Sequence, residues 1–301
     1  LTEVCNLGCI HCPHPSFKRS THYSKQMLDE NLNNKMISEV SEHGFGKTNY
    51  IRYTSNGEPL VHPRSYSMIH EAVKHSKTKV TLTTNGTLMD KKRIEKIFAS
   101  GLHMIDISID AFTNETYSKV RVGGNLDITR KNVIDFIKLS KEKDIKTKVV
   151  VSFVEQKENT SEKVDFKNFW INEGADEVLI RELHSNSGNT KLDEYLSEKK
   201  EKQLKKRYPC VYPWERVILN PRGYLSFCPT DWYGKAEIIN YNKTTIKEIW
   251  QSNFYKDLRK QHVCNKFKND FCKNCPDWSN THWPHFKEKK RYGDLVEKLL
   301  G

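Results

Sequence analysis

The residues of this chain best equipped for chemistry are its cysteines. They fall into two groups near opposite ends of the sequence. Cys5, Cys9 and Cys12 lie in the run Cys5-Asn6-Leu7-Gly8-Cys9-Ile10-His11-Cys12, while Cys210, Cys228, Cys264, Cys272 and Cys275 lie in the last third. Thiolates ligate soft metals and iron–sulfur clusters. A cubane cluster has about four irons, so a set of only three cysteines leaves one iron open to a substrate or cofactor. Zinc is the competing reading. It takes four ligands, His11 or His14 can complete the first set, and a hairpin pair followed by Cys-x2-Cys suits a zinc ribbon.

The Cys-x3-Cys-x2-Cys run, placed just after what reads as a strand end (Leu1-Thr2-Glu3-Val4), resembles the signature of the radical S-adenosylmethionine (SAM) enzymes. The resemblance implies a [4Fe-4S] cluster on Cys5, Cys9 and Cys12. Its open iron would chelate the amino and carboxylate groups of SAM, and an electron from the cluster would generate a 5′-deoxyadenosyl radical. In such enzymes the cofactor carries the difficult step and the protein supplies position and electrostatics.

These cysteines need a scaffold, and the pattern after them alternates. Helical stretches are expected over 27–43, 66–76, 90–99, 127–143 and 162–173. β-Prone runs are expected over 49–54, 79–84, 103–109, 146–154 and 177–182. Strands alternating with helices imply crossovers and a parallel sheet. The chain opens on Leu1 rather than Met, so a first strand is expected to begin upstream. With it the count matches the α/β fold of the family, a partial (β/α)6 parallel barrel. Functional residues of parallel barrels gather at the C-terminal ends of the strands.

The strand ends carry further matches. Ser55-Asn56-Gly57-Glu58-Pro59 resembles the family's Gly-Gly-Glu-Pro motif, whose backbone carbonyls, with Glu58 as a further candidate, would hold the SAM ammonium. A type II turn is the plainer reading of Asn-Gly-x-Pro. Asn85 ends the next strand, and Ser108-Ile109-Asp110 resembles the Ser-Ile-Asp segment that would bond the ribose or carboxylate of SAM. Arg121 resembles an arginine that pairs with the SAM carboxylate, which suits guanidinium geometry. Ser152 is a candidate ribose contact. Arg181, Glu182 and His184 close the last strand and are candidates for substrate contact or proton transfer.

The second cysteine group resembles the C-terminal SPASM and twitch domains of the same family. A hairpin is expected over 217–228, a helix over 244–260, then Cys272-Lys273-Asn274-Cys275. The short form implies one auxiliary [4Fe-4S] cluster on Cys210, Cys228, Cys272 and Cys275, with spacings like those of an aminocyclitol-oxidising dehydrogenase of the family. Cys264 is left over, as a buried thiol or a misassigned ligand. The expected division is a barrel at 1–185, a charged linker helix at 186–208, a cysteine-rich α+β auxiliary-cluster domain at 209–280 and a helical tail at 281–301.

Composition narrows the partners. No apolar run approaches the length of a membrane span. Clustered cysteines in a chain of 301 residues suit metal sites in a reducing cytoplasm better than a disulfide scaffold. The net charge of +12 is spread along the sequence and reads as a soluble surface, with nucleic acid a lesser expectation. The expected partners are a small-molecule substrate and an external one-electron reductant such as flavodoxin or ferredoxin. The resulting expectation is an oxidoreductase that takes hydrogen from an alcohol carbon of a small polyol, amino sugar or sugar nucleotide, with the auxiliary cluster accepting the electron. Modification of a ribosomal peptide is the alternative, and a zinc-stabilised binding module lies further off.

Overall fold

The computed structural model describes residues 1–44, 46–54, 56–188, 207–281, 283 and 291–301. The expected linker helix falls largely at 189–206, outside the described residues.

A parallel sheet runs in the order β1 (Tyr50–Tyr53), β2 (Lys79–Thr84), β3 (Met104–Ser108), β4 (Lys148–Glu155) and β5 (Glu177–Glu182). Each strand pairs only with its sequence neighbours within this sheet, as successive β–α–β crossovers produce. Ahead of it, the chain before the first cysteine makes one antiparallel bridge, Thr2 to Met27, in place of the expected strand end. Even so, the Val4 carbonyl accepts from Glu58 N at 2.9 Å. The turn after β1 is therefore docked against the backbone that leads into the cysteines.

The crossover helices form where apolar residues recur every three or four positions. In α1 (His14–Lys18) and α2 (Glu30–Glu39) the buried set includes Phe17, Leu32, Met36 and Ile37. The helix expected from Met27 starts only at Glu30, because Asp29 is extended and its carboxylate accepts from Asn31 N, while Met27 is taken by the bridge to Thr2. α3 spans Ser65–His75. In α4 (Lys91–Ser100) Asp90 caps the start as expected, accepting from Arg93 N at 2.9 Å, and Gly101 ends it at φ 71°. α5 (Asn114–Val120), α6 (Leu126–Glu142) and α7 (Lys163–Glu173) complete the outer layer, with Phe136, Ile137, Phe166 and Trp170 buried against the strands.

Beyond the barrel, α8 (Tyr212–Glu215) precedes an antiparallel sheet of β6 (Ile218–Leu219), β7 (Tyr224–Ser226) and β8 (Glu237–Asn240). β8 adds a strand to the expected hairpin. The single helix expected over 244–260 is two, α9 (Ile246–Gln251) and α10 (Asn253–Cys264). Ser252 breaks it at ψ 160° and caps the second piece by accepting from Tyr255 N, a competition with helix that serine favours. α11 (Asp270–Lys273) follows.

The last helix, α12 (Tyr292–Leu300), packs on the inner face of the parallel sheet. Leu295 and Val296 join Met104 and Val150 in a small apolar cluster, with Tyr50, Leu179 and Tyr292 beside it. That cluster is separate from the main core between sheet and helices. Of the expected helical tail, Tyr292–Leu300 is thus a plug in the barrel interior, while 282 and 284–290 lie outside the described residues.

Candidate cluster and cofactor sites

Three contacts fix the loop that carries Cys5, Cys9 and Cys12. Gly8 N donates to Val122 O at 2.8 Å, Ile10 N donates to Val120 O at 3.1 Å, and Asn85 Nδ2 donates to Asn6 Oδ1 at 2.9 Å. Glu3, upstream, is buried and accepts from the backbone of Ser24 and Gln26. His14 is committed elsewhere: its Nε2 lies 2.9 Å from Glu3 O, and its ring packs edge-on against Phe17, Tyr23 and Trp232.

The sulfurs are in a setting that suits thiolates only when a cation is present. Burial pushes the Cys5 thiol up to about 11 and the Cys12 thiol to about 12. The same cause raises Cys9, against the pull of Arg121, whose Nη1 donates to Cys9 Sγ at 3.5 Å. His14 N donates to Cys12 Sγ at 3.5 Å. An iron core supplies the missing positive charge. With His14 turned to Glu3 O, the three thiols make a donor set that fits an iron–sulfur core with one open corner.

Arg121 does more than touch Cys9. Its Nη2 meets Asp110 Oδ2 at 2.5 Å, with both side chains out of solvent. Asp110 follows β3 at φ 63°, and its Oδ1 accepts from Val154 N at 2.7 Å. His11 Nε2 lies 3.4 Å from the same Asp110 Oδ2, and its Nδ1 lies 3.3 Å from Gln156 Nε2. Burial holds His11 neutral, lowering it to about 4 against the opposing Asp110 charge. Cys9, Arg121, Asp110 and His11 thus form one contact chain at the barrel mouth.

The residues expected at the SAM site occupy this mouth in distinct ways. Gly57 lies so close to the incoming backbone that a Cβ would sit 2.3 Å from Val4 O. Glu58 is 3 % exposed and accepts from Leu60 N, Thr84 Oγ1 and Asn85 N at 2.7–3.0 Å. Its carboxylate is a bracket between the turn after β1 and the end of β2, and its hydrogen bonds oppose the rise that burial imposes. Pro59 is buried at the start of a 3-10 turn, Pro59–Val61. Asn56 reaches away from the barrel, donating from Nδ2 to Asp231 O at 3.2 Å. Ser108 and Ser152 face one another across β3 and β4, Oγ to Oγ 3.3 Å.

At the end of β5 the three candidates separate. Arg181 turns inward and pairs with Asp106. Alternation puts the exposed Glu182 on the opposite face. His184 is half-buried in the loop beyond. Two residues on, Asn186 Nδ2 donates to His184 O at 3.3 Å and to His11 O at 3.4 Å.

That loop also reaches the second cysteine group. Cys210, Cys228, Cys272 and Cys275 line one cavity with Tyr212, Phe227, Phe271 and Trp278. Ser187 Oγ lies 3.8 Å from Cys275 Sγ, 4.0 Å from Cys228 Sγ and 2.5 Å from Thr230 Oγ1. Asp277 clamps the loop, accepting from Ser185 N, Ser185 Oγ and Ser187 N at 2.6–2.9 Å. Burial raises Cys210 to about 11 and Cys272 to about 12, so this quartet also calls for a cationic core. Cys264 stands apart. It is exposed at the end of α10, so it is not the buried thiol considered, and it is not among the residues that line the cavity of the other four.

Sequence reasoning missed His11 as a partner of Asp110, along with Arg52, Asp106, Ser187 and Asp277. A signal existed for two of them. Parallel strands buried on both faces read as apolar runs, so Arg52 in β1 and Asp106 in β3 advertise a pairing requirement.

Comparisons with known proteins agree with this geometry. Among curated proteins, a probable GTP 3′,8-cyclase of Methanococcus maripaludis strain C5 is 32% identical over 134 residues, 44% of this chain and 42% of that protein. A tungsten-containing aldehyde ferredoxin oxidoreductase cofactor-modifying protein of Pyrococcus furiosus is 26% identical over 185 residues, 61% of this chain and 50% of that protein. The chain thus spans half or less of the length of these relatives. Among solved structures, BtrN in complex with AdoMet and 2-DOIA superposes with a TM-score of 0.60 at 16% identity, covering 91% of this chain and 89% of BtrN. Streptococcus suis SuiB bound to precursor peptide SuiA gives 0.68 at 15% identity, covering 98% and 71%. At such identities the likeness is one of fold. The SPASM iron–sulfur cluster-binding domain profile matches residues 210–276. With the radical SAM profile matching residues 1–168, more than half its length, the chain belongs to the radical SAM superfamily.

Proposed function

We propose that this enzyme is a radical SAM oxidoreductase that removes two electrons from an alcohol carbon of a small polyol, amino sugar or sugar nucleotide. When bound, the open-cornered cluster and SAM supply a 5′-deoxyadenosyl radical for hydrogen abstraction, and the auxiliary cluster supplies an electron acceptor. The observation that carries the reading is the loop after β5. It places Ser187 against Cys228 and Cys275 while Asn186 holds the backbone of His11 in the first cysteine loop. A fully thiolate-ligated centre in contact with the barrel mouth is positioned to take up an electron.

The chain's own residues divide the remaining work. Cys5, Cys9 and Cys12 hold the first cluster. Cys210, Cys228, Cys272 and Cys275 hold the second. The backbone from Asn56 to Pro59 offers carbonyls to the SAM ammonium, with Glu58 fixing the turn. Asn85, Ser108, Asp110, Arg121 and Ser152 line the remainder of the cofactor site. Oxidation of an alcohol needs a base within hydrogen-bond reach of the hydroxyl. Arg181 is tied to a carboxylate and Glu182 faces away from it, so His184 takes this role.

The test is anaerobic turnover with a panel of polyols, amino sugars and sugar nucleotides. One carbonyl product per 5′-deoxyadenosine is expected, and His184→Gln should lower product more than 5′-deoxyadenosine. Release of 5′-deoxyadenosine with no oxidised product from any panel member would refute the proposal. Peptide modification is the second reading, supported by the span of the fold shared with peptide-bound SuiB. Tight binding of a leader peptide would favour it.

A further inference from the structure

The inner face of the barrel holds charges that no cofactor contact uses. Arg52 on β1 donates from Nε and Nη2 to Thr83 Oγ1 at 3.0 and 2.9 Å, and from Nη2 to Asp106 Oδ2 at 3.3 Å. Arg181 on β5 donates to the same Asp106 oxygen. Among the described residues Asp106 is the one carboxylate in contact with either guanidinium. The trio therefore carries one surplus positive charge.

Its placement is specific. Arg52, Asp106 and Arg181 each stand two residues closer to the strand C-termini than Tyr50, Met104 and Leu179, which pack around the α12 plug. The Tyr292 ring of α12 supports Arg52 from 3.6 Å. The guanidiniums thus lie above an apolar floor and below the mouth where Ser108, Ser152 and the cysteine loop sit. Asp106 is fully buried, but the side chains of Arg52 and Arg181 keep 20% and 26% exposure. Asp106 Oδ1 is itself buried with no hydrogen-bond partner among the described residues.

An unbalanced charge in a low-dielectric cleft is costly unless a counter-charge arrives. Guanidiniums match oxyanions through parallel N–H bonds. We infer that Arg52 and Arg181, held by Asp106 and Thr83, form the receptor for an oxyanion of the substrate, phosphate or carboxylate. Asp106 Oδ1 is left to accept from a neighbouring substrate hydroxyl or amine. The inference rests on the barrel interior being the substrate site, as proposed above. It narrows that class to anionic members such as phosphorylated sugars and sugar nucleotides.

The test uses the anaerobically reconstituted holoenzyme saturated with SAM, titrated with inorganic phosphate and separately with acetate at low ionic strength. Phosphate should bind, and Arg52→Gln or Arg181→Gln should weaken it by roughly tenfold or more, the scale of a lost charge-assisted hydrogen bond. Arg181→Lys should restore part of the affinity. Acetate binding as tightly as phosphate would assign the site to a carboxylate. Absence of phosphate and acetate binding to the wild-type enzyme overturns the inference, even where the glutamine variants fail to fold. So does equal binding to wild type and folded variants, or loss of phosphate binding only in step with loss of SAM binding. Because the readout is binding alone, intact phosphate binding with no carbonyl product would remove the dehydrogenase reading and leave this one standing.

Discussion

Replacing Arg121 by Met probes the contact chain at the barrel mouth. Arg121 Nη2 and Asp110 Oδ2 are 2.5 Å apart, and the side chains are 8% and 0% exposed. Two unit charges about 4 Å apart at an effective dielectric of about 20 attract by about 4 kcal/mol. Losing one member of such a pair costs about 3–5 kcal/mol, chiefly because the other charge is stranded. Asp110 keeps its bond from Val154 N and its contact with His11, which places Arg121→Met near the lower end, about 3 kcal/mol. Asp110→Asn removes the stranded charge, so the double variant should lose only about 1 kcal/mol, about 2 kcal/mol less than Arg121→Met alone and far below the sum of the two single losses. Equilibrium urea unfolding of the reduced apo-protein measures all four corners of the cycle. A second readout uses the loaded enzyme. Arg121 Nη1 donates to Cys9 Sγ, and losing a hydrogen bond to a cluster sulfur lowers the reduction potential. Arg121→Met should therefore shift the first cluster to a more negative midpoint in an anaerobic redox titration. A loss of under about 1 kcal/mol with an additive cycle would refute the buried-pair reasoning.

Three further outcomes follow from the geometry. Gly57→Ala would put a Cβ 2.3 Å from Val4 O and 2.7 Å from Thr2 O, so the turn after β1 must move off the cysteine loop. An overpacking loss of about 1–3 kcal/mol is expected, with weaker SAM binding by equilibrium dialysis. His262 is buried and lowered from 6.5 to about 4 by burial, then by nearby Arg207. A depressed base contributes stability that is full above pH 6.5 and fades as pH falls toward 4. His262→Phe should therefore flatten acid destabilisation over that window by about 3 kcal/mol, seen as a smaller loss of urea midpoint. Cys228→Ser should cut iron from about eight to about four per chain, while Cys264→Ser should leave iron content unchanged.

The β2 and β5 segments were read at their observed bounds, and the other strands to within a few residues, because buried parallel strands are apolar runs framed by turn residues. The cysteine groups were legible because ligand spacing is local. Arg52, Asp106 and Arg181 were not read as a unit, because their contacts join residues 54 and 75 positions apart. Periodicity says which face a residue takes and nothing about which distant residue shares it. Glu58 shows the same limit: the motif drew notice to it, but only the fold shows its carboxylate spent on Thr84, Asn85 and Leu60. The break at Ser252 was hidden for a different reason, since one serine hydroxyl outweighed a continuous helical pattern.

Asn186 and Ser187 both adopt left-handed backbone, at φ 51° and 59°, and one peptide bond separates a side chain on the first cysteine loop from one on the second cysteine cavity. Iron in either centre would therefore press on the cradle of the other through this joint. Assembly of the two should be cooperative, and a chain starved of one cluster would hold its partner loosely. Inserting a single residue at this joint would leave every ligand in place and still unlink the pair.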